Sequence, residues 1–210
     1  MIRILVADDH AIVRDGLKQI VSDTSDMVVA AEASNGREAL NKALEGDYDV
    51  VLLDITMPDR SGLDILKEIK SQKPGLPVLI LSIHPEEQYA VRALKAGAAG
   101  YLTKESAPEE LIRAMRRVSG GGKYVTSSLA EKLASVLKTG AEKPLHQALS
   151  DREYQILCMI ASGKRVKQIA NELLLSTKTI STYRSRILRK MNMNNNIELT
   201  RYAIQNQLVS

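Results

Sequence analysis

The 210-residue chain has no phenylalanine, no tryptophan and a single cysteine, and only 3% of its residues are aromatic. Without large aromatic rings, a core of domain size has to be built from Val, Ile, Leu, Ala and Met. One cysteine, Cys158, can neither close an internal disulfide nor build a multi-cysteine zinc site, and on the apolar side of a helical segment it reads as core. No run approaches the ~18 apolar residues of a membrane span. The start, "MIRILVADDH", lacks the apolar stretch and small-residue cleavage site of a signal peptide. These absences lead to the expectation of a cytoplasmic protein with no membrane partner.

Charge is present but unevenly divided. Residues 1–123 hold 16 Lys/Arg against 19 Asp/Glu, a net −3, and the remainder holds 13 against 6, a net +7. A basic tail of this size suits a polyanion. The length also favours two small domains over one large one.

Five strand-length apolar runs occur in the acidic part: "RILVA", "MVVAAEA", "DVVLLD", "PVLILS" and "GYLT". Several are apolar without alternation, as strands covered on both faces must be. Amphipathic stretches separate them, so the pattern predicts an α/β doubly wound, five-stranded parallel sheet. An amphipathic piece at 127–138 and a Gly-, Pro- and charge-containing linker at 139–148 follow. From Ser150 the periodicity is helical throughout, predicting an all-α domain.

In a doubly wound sheet, ligands bind outside the carboxyl ends of the strands. Those ends carry Asp8 and Asp9, Asp54, Ser82 and Lys104. Taken singly, each is an ordinary cap, turn or surface residue. Taken together they outline a phosphoryl-transfer site: carboxylates that need a hard cation such as Mg²⁺ among them, a nucleophile in Asp54, and Lys104 and Ser82 to neutralise phosphoryl oxygens. Asp15, Asp23, Asp26, Asp47, Asp49 and Asp59 lie away from the strand ends and read as surface acids.

"ILVADDH", "VVLLDITMPDRSGLD", "LILS" and "AGAAGYLTKES" together resemble the receiver domain of bacterial two-component response regulators. The resemblance implies that Asp54 accepts phosphate from a sensor histidine kinase, and that Asp8, Asp9, Asp54 and the Thr56 carbonyl hold Mg²⁺. Ser82 and Tyr101 then match the switch positions, and Pro58 and Gly62 shape the turn beside Asp54. His84 falls where the family influences dephosphorylation, or it is an exposed loop residue.

The tail, "ALSDREYQILCMIASGKRVKQIANELLLSTKTISTYRSRILRKM", resembles a LuxR-type helix-turn-helix domain, and with the receiver it points to the NarL/FixJ class. Within that class "RVKQIA" and "KTISTYRSRI" are more similar to the GacA/UvrY branch, with Val166 standing where the scaffold helix usually has its cap. The division expected is 1–122 receiver, 123–148 helix and linker, and 149–210 DNA-binding domain. On the recognition helix, Ile180, Ile187, Leu188 and Met191 form an apolar stripe. Lys178, Thr179, Ser181, Thr182, Arg184, Ser185, Arg189 and Lys190 are the candidate DNA contacts. Glu153 matches an acid of the family's first helix, Gly163 ends that helix, and Ser176 is a candidate N-cap. The last helix supplies Ile197, Ala203, Ile204 and Leu208, either for a homodimer or for the domain's own core.

The resemblance implies a phosphorylation-controlled DNA-binding regulator, dimeric on double-stranded DNA and not an enzyme beyond its own phosphorylation and dephosphorylation, with RNA polymerase among the partners it allows. Three rivals stand against it. A phosphatase of the haloacid dehalogenase type wants a second acid where Thr56 stands. A phospho-dependent adaptor or an RNA-binding antiterminator would use the helical tail instead, and an RNA reader would expose stacking aromatics, for which only Tyr154, Tyr183 and Tyr202 are candidates.

Overall fold

The computed structural model describes residues 1–127, 129–131 and 144–209. The chain forms two compact units, Met1–Ala134 and Ser135–Ser210. Most of the expected amphipathic piece at 127–138, and the start of the linker, lie outside the described residues.

In the first unit, strands β1 (Ile2–Ala7), β2 (Met27–Ala33), β3 (Val50–Leu53), β4 (Val78–Ser82) and β5 (Gly100–Thr103) form one parallel sheet ordered β2-β1-β3-β4-β5. Helices α1 (Ala11–Ser22), α2 (Gly36–Glu45), α3 (Gly62–Gln72), α4 (Glu86–Lys95) and α5 (Pro108–Ser119) connect and cover the strands. All four residues of β3 and all five of β4 are buried, which is why those runs carry no polar alternation. The core on one face is aliphatic, built from Ile4, Val6, Val50, Leu52, Leu79, Leu102, Met115 and their neighbours.

Strand register brings the acids together. Ala7 pairs with Leu53, so Asp8 and Asp54 leave neighbouring strands at the same level, where the order reverses direction and a crevice opens. Ser82 pairs with Thr103, so Lys104 emerges one strand further along.

The turn into α2 is held by Glu38, whose carboxylate accepts from the Ser34 N–H and hydroxyl and from Lys42 Nζ at 2.7 Å. The Lys42 hydrogen bond, then the Ser34 N–H, hold its carboxyl down at about 2. A carboxyl lowered on folding contributes stability above its unfolded pKa and loses it as pH falls through the folded one. Glu38→Gln should therefore cost about 1 kcal/mol at pH 7, allowing for its partial exposure. The difference from the parent should shrink between pH 4.5 and about 2, as urea titrations at stepped pH will show.

Past α5 the chain returns along the open edge of β5. Lys123 Nζ donates to the Ala98 carbonyl, the Tyr124 N–H donates to the Ala99 carbonyl, and Tyr124 bridges Gly100 in parallel. Tyr124 Oη donates to Glu110 at 2.9 Å and Thr126 Oγ1 to Glu86 at 2.7 Å, while Leu129 is fully buried. The first unit thus extends past residue 122.

The second unit holds a 3₁₀ turn (Leu145–Ala148) and helices α6 (Asp151–Ala161), α7 (Val166–Glu172), α8 (Thr177–Lys190) and α9 (Asn196–Gln205). A capping box of Ser150 and Glu153 opens α6. Gly163 closes it with φ +82°, as a left-handed helix stop requires. At α7 the N-cap is Arg165 rather than Val166, which is the first helical residue, and no side-chain cap bond is made there; Gln168 Oε1 instead accepts the Arg165 N–H at 2.8 Å. Ser176 caps α8 by accepting from the Thr179 N–H at 3.0 Å. Between α7 and α8, Leu174 takes φ +50° while 73% exposed. A branched side chain in the left-handed region costs about 1 kcal/mol and here gains no burial in return. Leu174→Asn is expected to raise stability by about 0.5–1 kcal/mol, measurable as a later thermal transition.

Candidate phosphoacceptor site and nucleic-acid interface

Asp8 and Asp54 are each 2% exposed. Lys104 Nζ lies between them, 2.5 Å from Asp8 Oδ2 and 2.8 Å from Asp54 Oδ2. The other Asp54 oxygen, Oδ1, accepts the Thr56 N–H at 3.0 Å. Burial raises the Asp54 carboxyl above the ordinary value, more than Lys104 and the Thr56 N–H draw it down. Burial pushes the Lys104 ammonium down, but Asp54 and Asp8 outweigh it and hold Lys104 above the usual lysine value. The contact favours charge on both partners, and Asp54 differs because it lies deeper.

Asp8, Asp9, His10 and Asp54 each bring one ligand atom to within 4.8 Å of the others. Asp9 Oδ1 is buried without a hydrogen-bond donor. An orphaned carboxylate oxygen among three acids is what a divalent cation would satisfy, so the donor set fits Mg²⁺.

Ser82, fully buried at the end of β4, accepts the His84 N–H on Oγ at 3.1 Å. Tyr101 is also fully buried, its hydroxyl donating to the His84 carbonyl at 2.8 Å. The inward position of the tyrosine is therefore already taken without a phosphoryl group. His84 is no free loop residue: its Nε2 is 3.2 Å from Thr56 Oγ1 and its ring lies 4.9 Å from that of Tyr89. Gly62 packs directly on the Asp54–Ile55 backbone, which explains the glycine of the turn.

Three residues escape the strand-end reading. His10 Nδ1 stands 2.9 Å from Asp9 Oδ1 and 3.2 Å from Asp8 Oδ1. Arg14, one turn into α1, donates to the Asp8 carbonyl at 2.8 Å and to Glu32. Asp59, read as a surface acid, instead receives the Gly36 and Arg37 N–H groups at the start of α2. Burial would raise its carboxyl, yet these donors lower it below the usual value. Adjacency to the "DD" pair and i+4 spacing on α1 are the only sequence signals for His10 and Arg14, and nothing local points to Asp59.

In the second unit Ile180 and Ile187 of α8 and Met191 at its C-cap are buried and Leu188 partly so, while Lys178, Ser181, Thr182, Ser185 and Arg189 are exposed. The hydroxyls of Ser181, Thr182 and Ser185 donate to carbonyls four residues back. Lys178, Thr179, Thr182 and Tyr183 line a shallow groove with Arg186, a cation one turn beyond Thr182 that the wheel had left aside. Two candidate contacts are tied elsewhere. Arg184 Nε donates to Asn196 Oδ1 at 2.6 Å, and Lys190 Nζ pairs with Glu153 at 2.6 Å. Burial would raise Glu153, but Lys190, Ser150 and the cap hold it below the usual value. The stripe expected on the last helix divides: Ala203, and Leu208 just past the helix, are buried together with Leu199, which the stripe did not include, whereas Ile197 and Ile204 are 79% and 56% exposed.

Residues 4–116 match the response regulator receiver domain family, and residues 147–203 match the bacterial regulatory proteins of the luxR family. The chain belongs to the response regulators. It is 37% identical over 209 residues to response regulator UvrY of Escherichia coli (strain K12), covering 99% of this chain and 96% of that one. It is 37% identical over 210 residues to response regulator GacA of Pseudomonas protegens, covering 100% and 98%. Among solved structures, RcsB from Salmonella enterica serovar Typhimurium, bound to promoter rprA in the presence of phosphomimetic BeF₃⁻, superposes with a TM-score of 0.65. That match has 25% identity and covers 96% of this chain and 97% of that one. The regulator thus carries a receiver domain and a LuxR-type DNA-binding domain. No helix among its described residues is long and apolar enough to cross a membrane.

Proposed function

We propose that a sensor histidine kinase phosphorylates the regulator at Asp54 and that the acyl phosphate controls its binding, as a homodimer, to duplex DNA. The observation that carries this reading is the placement of Lys104 Nζ against both Asp54 and Asp8 in a buried pocket. Asp54 Oδ forms the new bond to phosphorus as the phosphorus–nitrogen bond of a phosphohistidine breaks, and the departing imidazole keeps the electron pair. Lys104 then faces phosphoryl oxygens in place of a bare carboxylate and holds them by charge-assisted hydrogen bonds. Asp8, Asp9, Asp54 and the Thr56 carbonyl would hold Mg²⁺, which when bound supplies neutralisation of the phosphoryl oxygens. Ser82 can turn its hydroxyl from the His84 N–H toward the new oxygens. Tyr101 is bonded to the carbonyl of the same His84, so the turn carries the change to the start of α4. The protein works in the cytoplasm on this reading, with RNA polymerase a partner at promoters, and its only chemistry is on its own Asp54.

The DNA reading rests on α8. Among the tail tyrosines named above, Tyr154 is buried, Tyr183 and Tyr202 are half-buried, and Tyr202 Oη is engaged by His146 at 3.0 Å. None of these three rings is an exposed stacking platform for single-stranded RNA. Thr179, Ser181, Thr182 and Ser185 sit where short side chains meet base edges, while Lys178, Arg189 and Arg186 reach for phosphates. Arg184 and Lys190 would first have to leave their partners. The exposed Ile197 and Ile204 on α9 give a second copy an apolar face.

Treatment with acetyl phosphate and Mg²⁺ should tighten binding to a genomic target duplex, and unchanged affinity would defeat the reading. Thr182→Ala should lose about 1–3 kcal/mol of discrimination between target and scrambled duplex, with the salt dependence kept. Arg189→Ala should weaken both duplexes alike and lower the salt slope by roughly one unit. Fluorescence anisotropy at several salt concentrations separates the two.

A further inference from the structure

Among the described residues that bring a possible ligand atom to the pocket, His10 alone offers nitrogen, and it has no part in the mechanism above. His10 precedes α1, and its own N–H is fixed on Asp8 Oδ1 at 2.9 Å, so the imidazole is held at the mouth of the pocket, 63% exposed. Its Nδ1 lies 3.2 Å from Asp8 Oδ1 and 2.9 Å from Asp9 Oδ1. The second approach is short yet out of line for an N–H, which leaves Asp9 Oδ1 buried with no donor. Two atoms bound at ~2.1 Å to one ion, at right angles, stand ~3.0 Å apart. The 2.9 Å approach to Asp9 Oδ1, which makes no hydrogen bond, therefore matches an edge of an octahedral coordination shell, whereas the 3.2 Å contact with Asp8 Oδ1 is a hydrogen bond.

We propose that His10, with Asp8 and Asp9, forms a site for a nitrogen-accepting divalent transition ion of the Zn²⁺ and Co²⁺ class, which competes with Mg²⁺ in the same pocket. The proposal rests on the reading of the pocket as a divalent-cation site and adds the imidazole to it. Mg²⁺ gains little from such a ligand, because it favours oxygen and keeps its waters. Zn²⁺ and Co²⁺ favour imidazole, so His10 sets the preference between the two classes of ion. Asp54 and Lys104 need not move for this: Lys104 holds the far oxygen of Asp8, Oδ2, and Oδ1, which accepts the His10 N–H, keeps a second lone pair for the ion once the imidazole turns from it.

The test uses the full chain, with Mg²⁺, Zn²⁺ and Co²⁺ as their simple salts, and reads binding by calorimetry and the visible ligand-field bands of Co²⁺. His10→Ala should weaken Zn²⁺ and Co²⁺ at least about tenfold and alter the Co²⁺ bands, with Mg²⁺ affinity kept or slightly improved. His10→Arg keeps a cation at the position but has no lone pair, and should lose Zn²⁺ and Co²⁺ in the same way. If Mg²⁺ and Zn²⁺ affinities change by the same factor in both variants, or neither changes, the imidazole is no ligand and the proposal falls. Asp9→Asn should lose both classes of ion. Retention of Mg²⁺ by that variant would overturn the cation pocket itself, an outcome distinct from failure of the His10 assignment.

Discussion

Asp54→Asn is expected to take no label from acetyl phosphate under conditions that label the parent chain fully, a loss of at least about a hundredfold. The amide nitrogen and oxygen have no free anionic lone pair to place on phosphorus, and no other acid shares the position. Asp8 is equally buried, but it leaves β1 rather than β3, and His10 holds its Oδ1 while Lys104 holds its Oδ2. The substitution keeps the shape of the side chain, and an Asn oxygen can still accept the Thr56 N–H that now reaches Oδ1 at 3.0 Å. Folding should therefore be intact by circular dichroism, so that the missing label, read by intact-mass spectrometry, reports chemistry alone. Undiminished label would move the phosphoacceptor elsewhere.

Gly62→Ala should injure both stability and labelling. A methyl group there collides with the Asp54 carbonyl and sits 2.7 Å from the Ile55 Cα, both backbone atoms with no rotamer through which to retreat. The Gly62 N–H also donates to the Ile55 carbonyl at 2.9 Å, so relief requires the turn to open. Overpacking of this kind costs typically 1–3 kcal/mol, and the displaced atoms are those that aim Asp54. Labelling should fall even after correction for the folded fraction. Gly16→Ala is the control: it lies inside α1, a Cβ there meets nothing within 4 Å, and a gain of about 0.5–1 kcal/mol is expected. Equal melting temperatures for the two variants would show that the contact at Gly62 is slack.

The five strands were legible because both faces of each central strand are covered, which removes polar residues from the run and marks its end with the first acid. Asp8, Asp54, Ser82 and Lys104 follow from those ends and from the rule for parallel sheets. The joins between distant segments were not legible. Asp59 caps a helix that begins 23 residues earlier, and no local pattern announces that meeting. A helical wheel likewise sorts faces without saying where a long side chain reaches: Arg184 and Lys190 share the exposed side of α8 in projection, yet bend to Asn196 and Glu153. The stripe on α9 failed for the converse reason. Ala203, and Leu208 just past the helix, are buried while Ile197 and Ile204 are exposed, because the helix packs mainly on α6 and leaves its far side uncovered.

The return of the chain along β5 has a consequence for how copies of the regulator meet. A sheet edge left open is a template on which another chain can add a strand, and a receiver severed after Gly122 would present the Ala98 and Ala99 carbonyls as such a template. With the Lys123 ammonium on the Ala98 carbonyl and the Tyr124 N–H on the Ala99 carbonyl, the molecule covers the start of that edge itself. Strand addition by another chain at the start of β5 is thereby discouraged, since the carbonyls it would need are already spoken for.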